Sequence, residues 1–169
     1  MTLVYLGIGS NQQPETHIAR GLDVLNERYQ VVSVSPWYRS PALGFEGPDF
    51  INLVVAIETG LELAELALQL KQIERDFGRA PNAAKYSSRA LDIDILLFGE
   101  LSGDHHGLSL PRDDVWRFAF VLQPLLDIAP NLVCPRSQQP IANYWPKVAH
   151  QPLTRIPAAP RGSSSCEAG

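Results

Sequence analysis

Cysteine is scarce. Only Cys134 and Cys166 occur in 169 residues, far apart, the second in a polar stretch. Two such residues make no disulfide framework, so the core must hold the fold and free thiols in a reducing compartment are expected. Basic charge is also short, with 14 lysines and arginines against 18 aspartates and glutamates for a formal net charge of -4. That argues against broad electrostatic binding to nucleic acid or anionic membrane, although a local cluster can still hold phosphates. No apolar run is long enough to cross a bilayer and no basic-then-apolar leader opens the chain, so a cytoplasmic protein without a membrane partner is expected. Neither Gly-x-x-x-x-Gly-Lys nor Gly-x-Gly-x-x-Gly occurs, which disfavours P-loop and Rossmann nucleotide binding.

Apolar residues at 45% and charged residues at 19% indicate one globular domain with a substantial core. Residues 3–8 read as a buried strand ending at Gly9-Ser10-Asn11, and Pro14 suits the first turn of a helix whose stripe is Ile18, Leu22 and Leu25. Residues 31–38 alternate as a strand, residues 40–48 form a Pro- and Gly-rich loop, and residues 50–57 return as a second strand. Leu63, Leu66, Leu70, Ile73 and Phe77 share a helical face that Gly78 terminates. A polar loop over 79–89 leads to a strand over 91–98, then a loop through His105-His106-Gly107 and a helix over about 113–126. The order β-α-β-β-α-β predicts an α+β, ferredoxin-like core with extra C-terminal elements. Residues 1–150 are expected to form the domain and residues 151–169 a polar, poorly ordered tail. That core hosts many functions, so the site must carry the argument.

Leu91-Asp92-Ile93-Asp94-Ile95-Leu96-Leu97-Phe98 is the most informative segment. Alternation puts Asp92 and Asp94 on one face, with Leu91, Ile93, Ile95 and Leu97 on the other. Paired carboxylates on a core strand repel each other and lose hydration unless a cation compensates them, and magnesium suits such oxygen ligands. A solvated strand end is the plain alternative. Arg79, Lys85 and Arg89 lie just upstream with no acidic residue between Arg79 and Arg89. An acid-free basic loop feeding a carboxylate pair fits a nucleoside triphosphate with its metal.

Phe50 and Asn52, two apart, share a strand face. They offer a flat heteroaromatic ligand a stacking surface and an amide with both donor and acceptor. Phe120 can cover the other side, whereas core packing with a turn asparagine is the plain alternative. Adjacent histidines without ligand spacing, as at His105-His106, are expected to be solvated.

Taken together these segments resemble the hydroxymethyldihydropterin pyrophosphokinase family. Tyr5-Leu6-Gly7-Ile8-Gly9-Ser10-Asn11, Tyr38-Arg39-Ser40-Pro41-Ala42-Leu43-Gly44, Phe50-Ile51-Asn52, the block from Arg89 to Gly99, and that from Phe120 to Pro130 follow its order. The resemblance implies an α/β/α layered fold and transfer of pyrophosphate from ATP to a reduced pterin, with two magnesium ions. By position, Asp92 and Asp94 would ligate metal. Phe50 and Phe120 would sandwich the pterin, Asn52 would bond its edge, and Ser40, Pro41 and Leu43 would complete recognition. Glu74, Lys85 and Ile95 would line the nucleotide site with Arg79, Arg89 and Arg112, the three cations expected to act in catalysis. A monomer or weak homo-oligomer is expected.

The departures from the family pattern fall on the ATP side. Arg112 stands where the family has His, and its Arg-x-Phe pattern reads Phe118-Ala119-Phe120. Arg117 precedes that pattern by one residue, and one residue on a helix is about 100° of rotation, which would turn it elsewhere. Tyr86-Ser87-Ser88-Arg89 replaces an aromatic-Gly-Pro-Arg approach, and Pro81 lies near the place of a missing arginine. Either Arg112 replaces the lost cations in an active enzyme, or the chain is a pterin-binding paralogue with weak, lost or redirected transfer. A ferredoxin-like regulatory or RNA-binding module is the third reading, disfavoured because the aspartate pair repels phosphate without a metal.

Overall fold

Strand β1 (Thr2–Ser10) is an interior strand of the sheet, and its near-continuous apolar sequence reflects cover on both faces. It pairs antiparallel with β4 (Phe50–Thr59) on one side and with β5 (Asp92–Phe98) on the other. Strands β2 (Gln30–Val34) and β3 (Trp37–Ser40) both pair with β4, and β8 (Thr154–Ile156) adds to β3. The computed structural model describes residues 1–78 and 90–158. Within them the order is that of a ferredoxin-like sheet, with β2 and β3 together forming one interrupted strand.

Helices α1 (Pro14–Arg28) and α2 (Leu63–Asp76) cover one face. Ile18, Leu22 and Leu25 from α1 and Leu66, Leu70 and Ile73 from α2 meet Val4, Leu6, Ile8, Leu53, Val55 and Ile57. The opposite face, with Tyr5, Val54 and Ala56, is covered by α3 (Asp114–Arg117) and α4 (Ala119–Ile128), followed by α5 (Trp145–Val148). These layers make the α/β/α arrangement. Each fully buried aliphatic side chain contributes about 1.5–3 kcal/mol, so the two apolar clusters rather than any covalent link hold the layers together. Gly78 ends the α2 segment at φ 99°, a conformation that favours glycine. Among the described residues no helix is long and apolar enough to cross a membrane.

Four local expectations change. The strand over 31–38 breaks at Ser35-Pro36, where proline lacks an N–H and the Ser35 hydroxyl instead accepts the Val54 N–H at 2.9 Å. The loop through His105-His106-Gly107 is the turn of a hairpin, β6 (Gly103–His105) with β7 (Leu108–Leu110). His106 and Gly107 take φ 53° and 80°, as a tight two-residue turn requires. The helix over 113–126 is two helices, because Phe118 is extended (φ -133°, ψ 128°). Residues 154–156, within the span read as tail, form the edge strand β8.

Candidate active site

The register aligns a row of residues across one sheet face. Asp92 of β5 sits opposite Gly9 of β1, Gly9 opposite Asn52 of β4, and Asn52 opposite Tyr38 of β3. The next row holds Asp94, Gly7 and Val54, and Phe50 pairs with Ser40 at the rim. Directly opposed residues share a face, so the acidic pair and the amide project the same way. Two glycines lie between them, leaving bare backbone as a floor. At Gly9 a Cβ would lie 2.5 Å from Asn52 Oδ1, so a side chain there would displace the amide.

Above this floor is a cleft of about 500 Å³ bordered by Ser40, Pro41, Leu43, Phe50, Asn52, Asp92, Asp94, Arg112 and Phe120. The structure therefore gathers residues far apart in the chain at one place. Phe50 does not stack on Phe120. It meets Phe45 edge-on at 6.4 Å, while Phe120 stacks on Phe118 at 5.0 Å and 14°. Two aromatic pairs thus border the cleft, Phe45 of the 40–48 loop with Phe50 at the start of β4, and Phe118 at the break with Phe120 of α4. Asn11, nearly fully buried, donates from Nδ2 to the Pro48 carbonyl at 3.2 Å and ties that loop to the end of β1. Among the described residues the buried Ser40 hydroxyl has no hydrogen-bond partner, a polar atom available to a ligand at the rim.

Strand β5 carries the acidic pair, but its alternation is interrupted. A register shift between Tyr5 and Leu6 leaves Leu96 as an extra residue, so Leu96 and Leu97 both pack under α3 and α4. Leu97 therefore does not join Ile93 and Ile95 on the far face. Asp92 and Asp94 precede the bulge and stay together. Burial, and then the Asp92 charge, push the Asp94 carboxyl well above its ordinary range, with Arg112 opposing. A hard divalent ion fits the all-oxygen donors of this pair.

Arg112 is brought to this pair by the hairpin. Its backbone N–H donates to the Leu96 carbonyl at 2.9 Å, and its Nη2 lies 3.9 Å from Asp94 Oδ1. Its Nε stands 3.2 Å from Asp114 Oδ2, poorly angled for a hydrogen bond. Burial works against the guanidinium charge, but Asp94 and Asp114 outweigh it and raise its pKa. Glu74 has a structural task as well as a place at the cleft, since its Oε2 accepts the Ile93 N–H of the edge strand at 2.6 Å. Ile95 borders the cleft too, but its side chain lies in the α1/α2 core, which leaves the strand backbone for a ligand. Arg79, Lys85 and Arg89 lie outside the described residues.

Arg117, Phe118, Phe45, Lys71 and Asp114 also border the cleft and were not read as site residues. Arg117 is the notable case. The interruption at Phe118 removes the continuous helix on which one residue of offset would turn it away, and its guanidinium stands 5.7 Å from the Phe118 ring centroid. Only the arginine-aromatic adjacency itself was visible in sequence. Tyr38, at the end of the Asp92 row, donates its hydroxyl to Asp127 of α4. Burial and that carboxylate push the phenol up to about 12, so it stays neutral and pins α4 over the sheet.

A sequence model of the 7,8-dihydro-6-hydroxymethylpterin-pyrophosphokinase family matches residues 5–130. The 2-amino-4-hydroxy-6-hydroxymethyldihydropteridine pyrophosphokinase of Aquifex aeolicus is 33% identical over 92% of this chain and 98% of its own length. That of Pseudomonas aeruginosa is 40% identical over 78% and 83% respectively. Among solved structures, wild-type Plasmodium falciparum HPPK-DHPS superposes with a TM-score of 0.64 at 14% identity, covering 87% of this chain and 43% of that one. That likeness speaks for the fold alone. With the family model spanning most of the chain and the bacterial relatives nearly full length, the chain belongs to the hydroxymethyldihydropterin pyrophosphokinases, transferases that move pyrophosphate from ATP to hydroxymethyldihydropterin in folate biosynthesis.

Proposed function

We propose that this chain transfers pyrophosphate from magnesium-bound ATP to 6-hydroxymethyl-7,8-dihydropterin on the sheet face between Asn52 and the aspartate pair. The observation that carries the reading is the cross-strand row Asp92–Gly9–Asn52, which sets a carboxylate of the Asp92/Asp94 pair and an amide on one floor. Asn52 meets the polar edge of the pterin, the Ser40 hydroxyl supplies a further polar contact, and Phe50 and Phe120 bound its faces. Asp92 and Asp94 hold two magnesium ions, which when bound supply charge neutralisation at the phosphates. The hydroxymethyl oxygen forms a bond to the β-phosphorus and gives up its proton to solvent, the bond from the β-phosphorus to the oxygen it shares with the α-phosphorus breaks, and AMP departs with that oxygen. The residues' contribution is alignment and fixed charge, with Arg112 meeting phosphate oxygens from beside Asp94.

The test is AMP formation from ATP, the pterin and magnesium beside a control without pterin. Pterin-dependent AMP supports the reading. Its absence, with pterin still bound, favours a paralogue whose transfer is lost or redirected. That second reading draws on Phe118 occupying a cleft position where the family pattern has a cation, and on Arg112 already facing two carboxylates.

A further inference from the structure

The break between α3 and α4 is held by a side chain from the C-terminal segment. Gln151 Oε1 accepts the Ala119 N–H at 2.8 Å, and its Nε2 donates to the Arg117 carbonyl at 2.9 Å. One planar amide thus satisfies the peptide groups on either side of the extended Phe118. On an unbroken helix adjacent side chains diverge by about 100°. The bracketed break lets Arg117 and Phe118 border the same cleft. The Arg117 guanidinium lies 5.7 Å from the Phe118 ring centroid, within cation–π range, and Phe118 in turn stacks on Phe120.

Arg112 and Arg117 differ in how their charge is met. Arg112 faces Asp94 and Asp114, whereas among the described residues Arg117 forms no ion pair and its side chain is exposed at the cleft. An uncompensated arginine, steadied on an aromatic ring and bordering the cleft that holds a carboxylate pair, suits a polyanion carrying a divalent cation. The guanidinium fork matches phosphate oxygens, and a pre-positioned side chain loses less freedom on binding.

We propose that Arg117 is a phosphate-contacting cation of this cleft and that Gln151 is the positioning residue that aims it, the ligand being the polyphosphate of a magnesium–nucleotide complex. The assignment rests on the reading of the cleft given above. Its test is calorimetric titration of magnesium with a non-hydrolysable ATP analogue into wild type, Arg117→Ala, Gln151→Ala and the double variant. Arg117→Ala is expected to weaken binding about tenfold, as loss of a charge-assisted contact does. Gln151→Ala should weaken it less and add nothing in the Arg117→Ala background, because on nucleotide it acts through Arg117. Gln151→Met, of similar shape without the two bonds, gives the same cycle if Gln151→Ala folds poorly. Wild-type affinity in Arg117→Ala, or independent multiplying losses in the double variant, overturns the assignment while leaving pterin-dependent AMP formation intact. A wild type that binds no analogue overturns the reading of the cleft as well.

Discussion

Gly9 of β1 lies directly opposite Asn52 of β4, and a methyl group on Gly9 would stand 2.5 Å from the Asn52 amide oxygen. The amide lies across the glycine, so the absence of a side chain there sets where the amide sits in the proposed pterin site. Gly9→Ala must push the amide aside. The amide is the far end of a movable side chain, so the stability cost should fall at the low end of the roughly 1–3 kcal/mol typical of overpacking. Function should suffer more, because the displaced amide leaves the polar edge of the pterin unpaired. Pterin affinity measured by fluorescence is expected to drop at least about tenfold, with magnesium–nucleotide binding nearly unchanged. Wild-type pterin affinity would contradict the role given to this pair.

Asp94 links stability to pH and to metal. Its folded carboxyl holds a proton more tightly than it does in the unfolded chain, through burial and the neighbouring Asp92 charge. The stabilisation this proton gives is complete below the ordinary carboxylate pKa of 3.8 and is lost as pH rises from there to the raised folded value. At neutral pH without metal, Asp94→Asn should therefore raise the melting temperature. The lost 3.9 Å contact to Arg112 offsets part of that gain. Wild type should instead gain roughly 5–10 °C with magnesium–ATP at a hundredfold excess over Kd, and the variant should gain almost nothing. Thermal melts across pH with and without the metal–nucleotide decide it, and a metal-free variant that melts below wild type would count against the repulsion account.

On the proposed reading Arg112 acts on transferring phosphate rather than on resting nucleotide. It already stands beside Asp94 and Asp114, so its ground-state gain from ATP is partly cancelled by the contacts it must loosen. Arg112→Ala is expected to lower kcat by about 10²–10³-fold with a smaller effect on the KM for ATP. Steady-state kinetics distinguish this from a change in KM alone, which would mark a binding contact only.

Much of the lining of this cleft was legible in the chain, for reasons that also explain the rest. Asp92 and Asp94 stand out because charge at alternate positions of an apolar strand has few uses, and Phe50 with Asn52 because spacing of two fixes a shared face. The bulge at Leu96 was hidden, since Leu96 and Leu97 are both apolar and either suits either face. The break at Phe118 was hidden more deeply. Val115, Leu122 and Leu125 keep a helical stripe across it, and the group that stabilises the break, Gln151, comes from a segment whose composition reads as tail. The split at Pro36 had a visible cause in the proline itself.

The central claim is that the Asp92–Asp94 face is where pyrophosphate transfer happens, and its most direct measurement is pterin-dependent AMP release in wild type beside Asp92→Asn and Asp94→Asn. Wild type should release one AMP for each diphosphorylated pterin formed when magnesium is present and none in excess chelator. Each variant should fall by at least about 10²-fold while still binding pterin, because the amide end of the floor is untouched. Variants that bind pterin and release AMP at the wild-type rate would contradict the account.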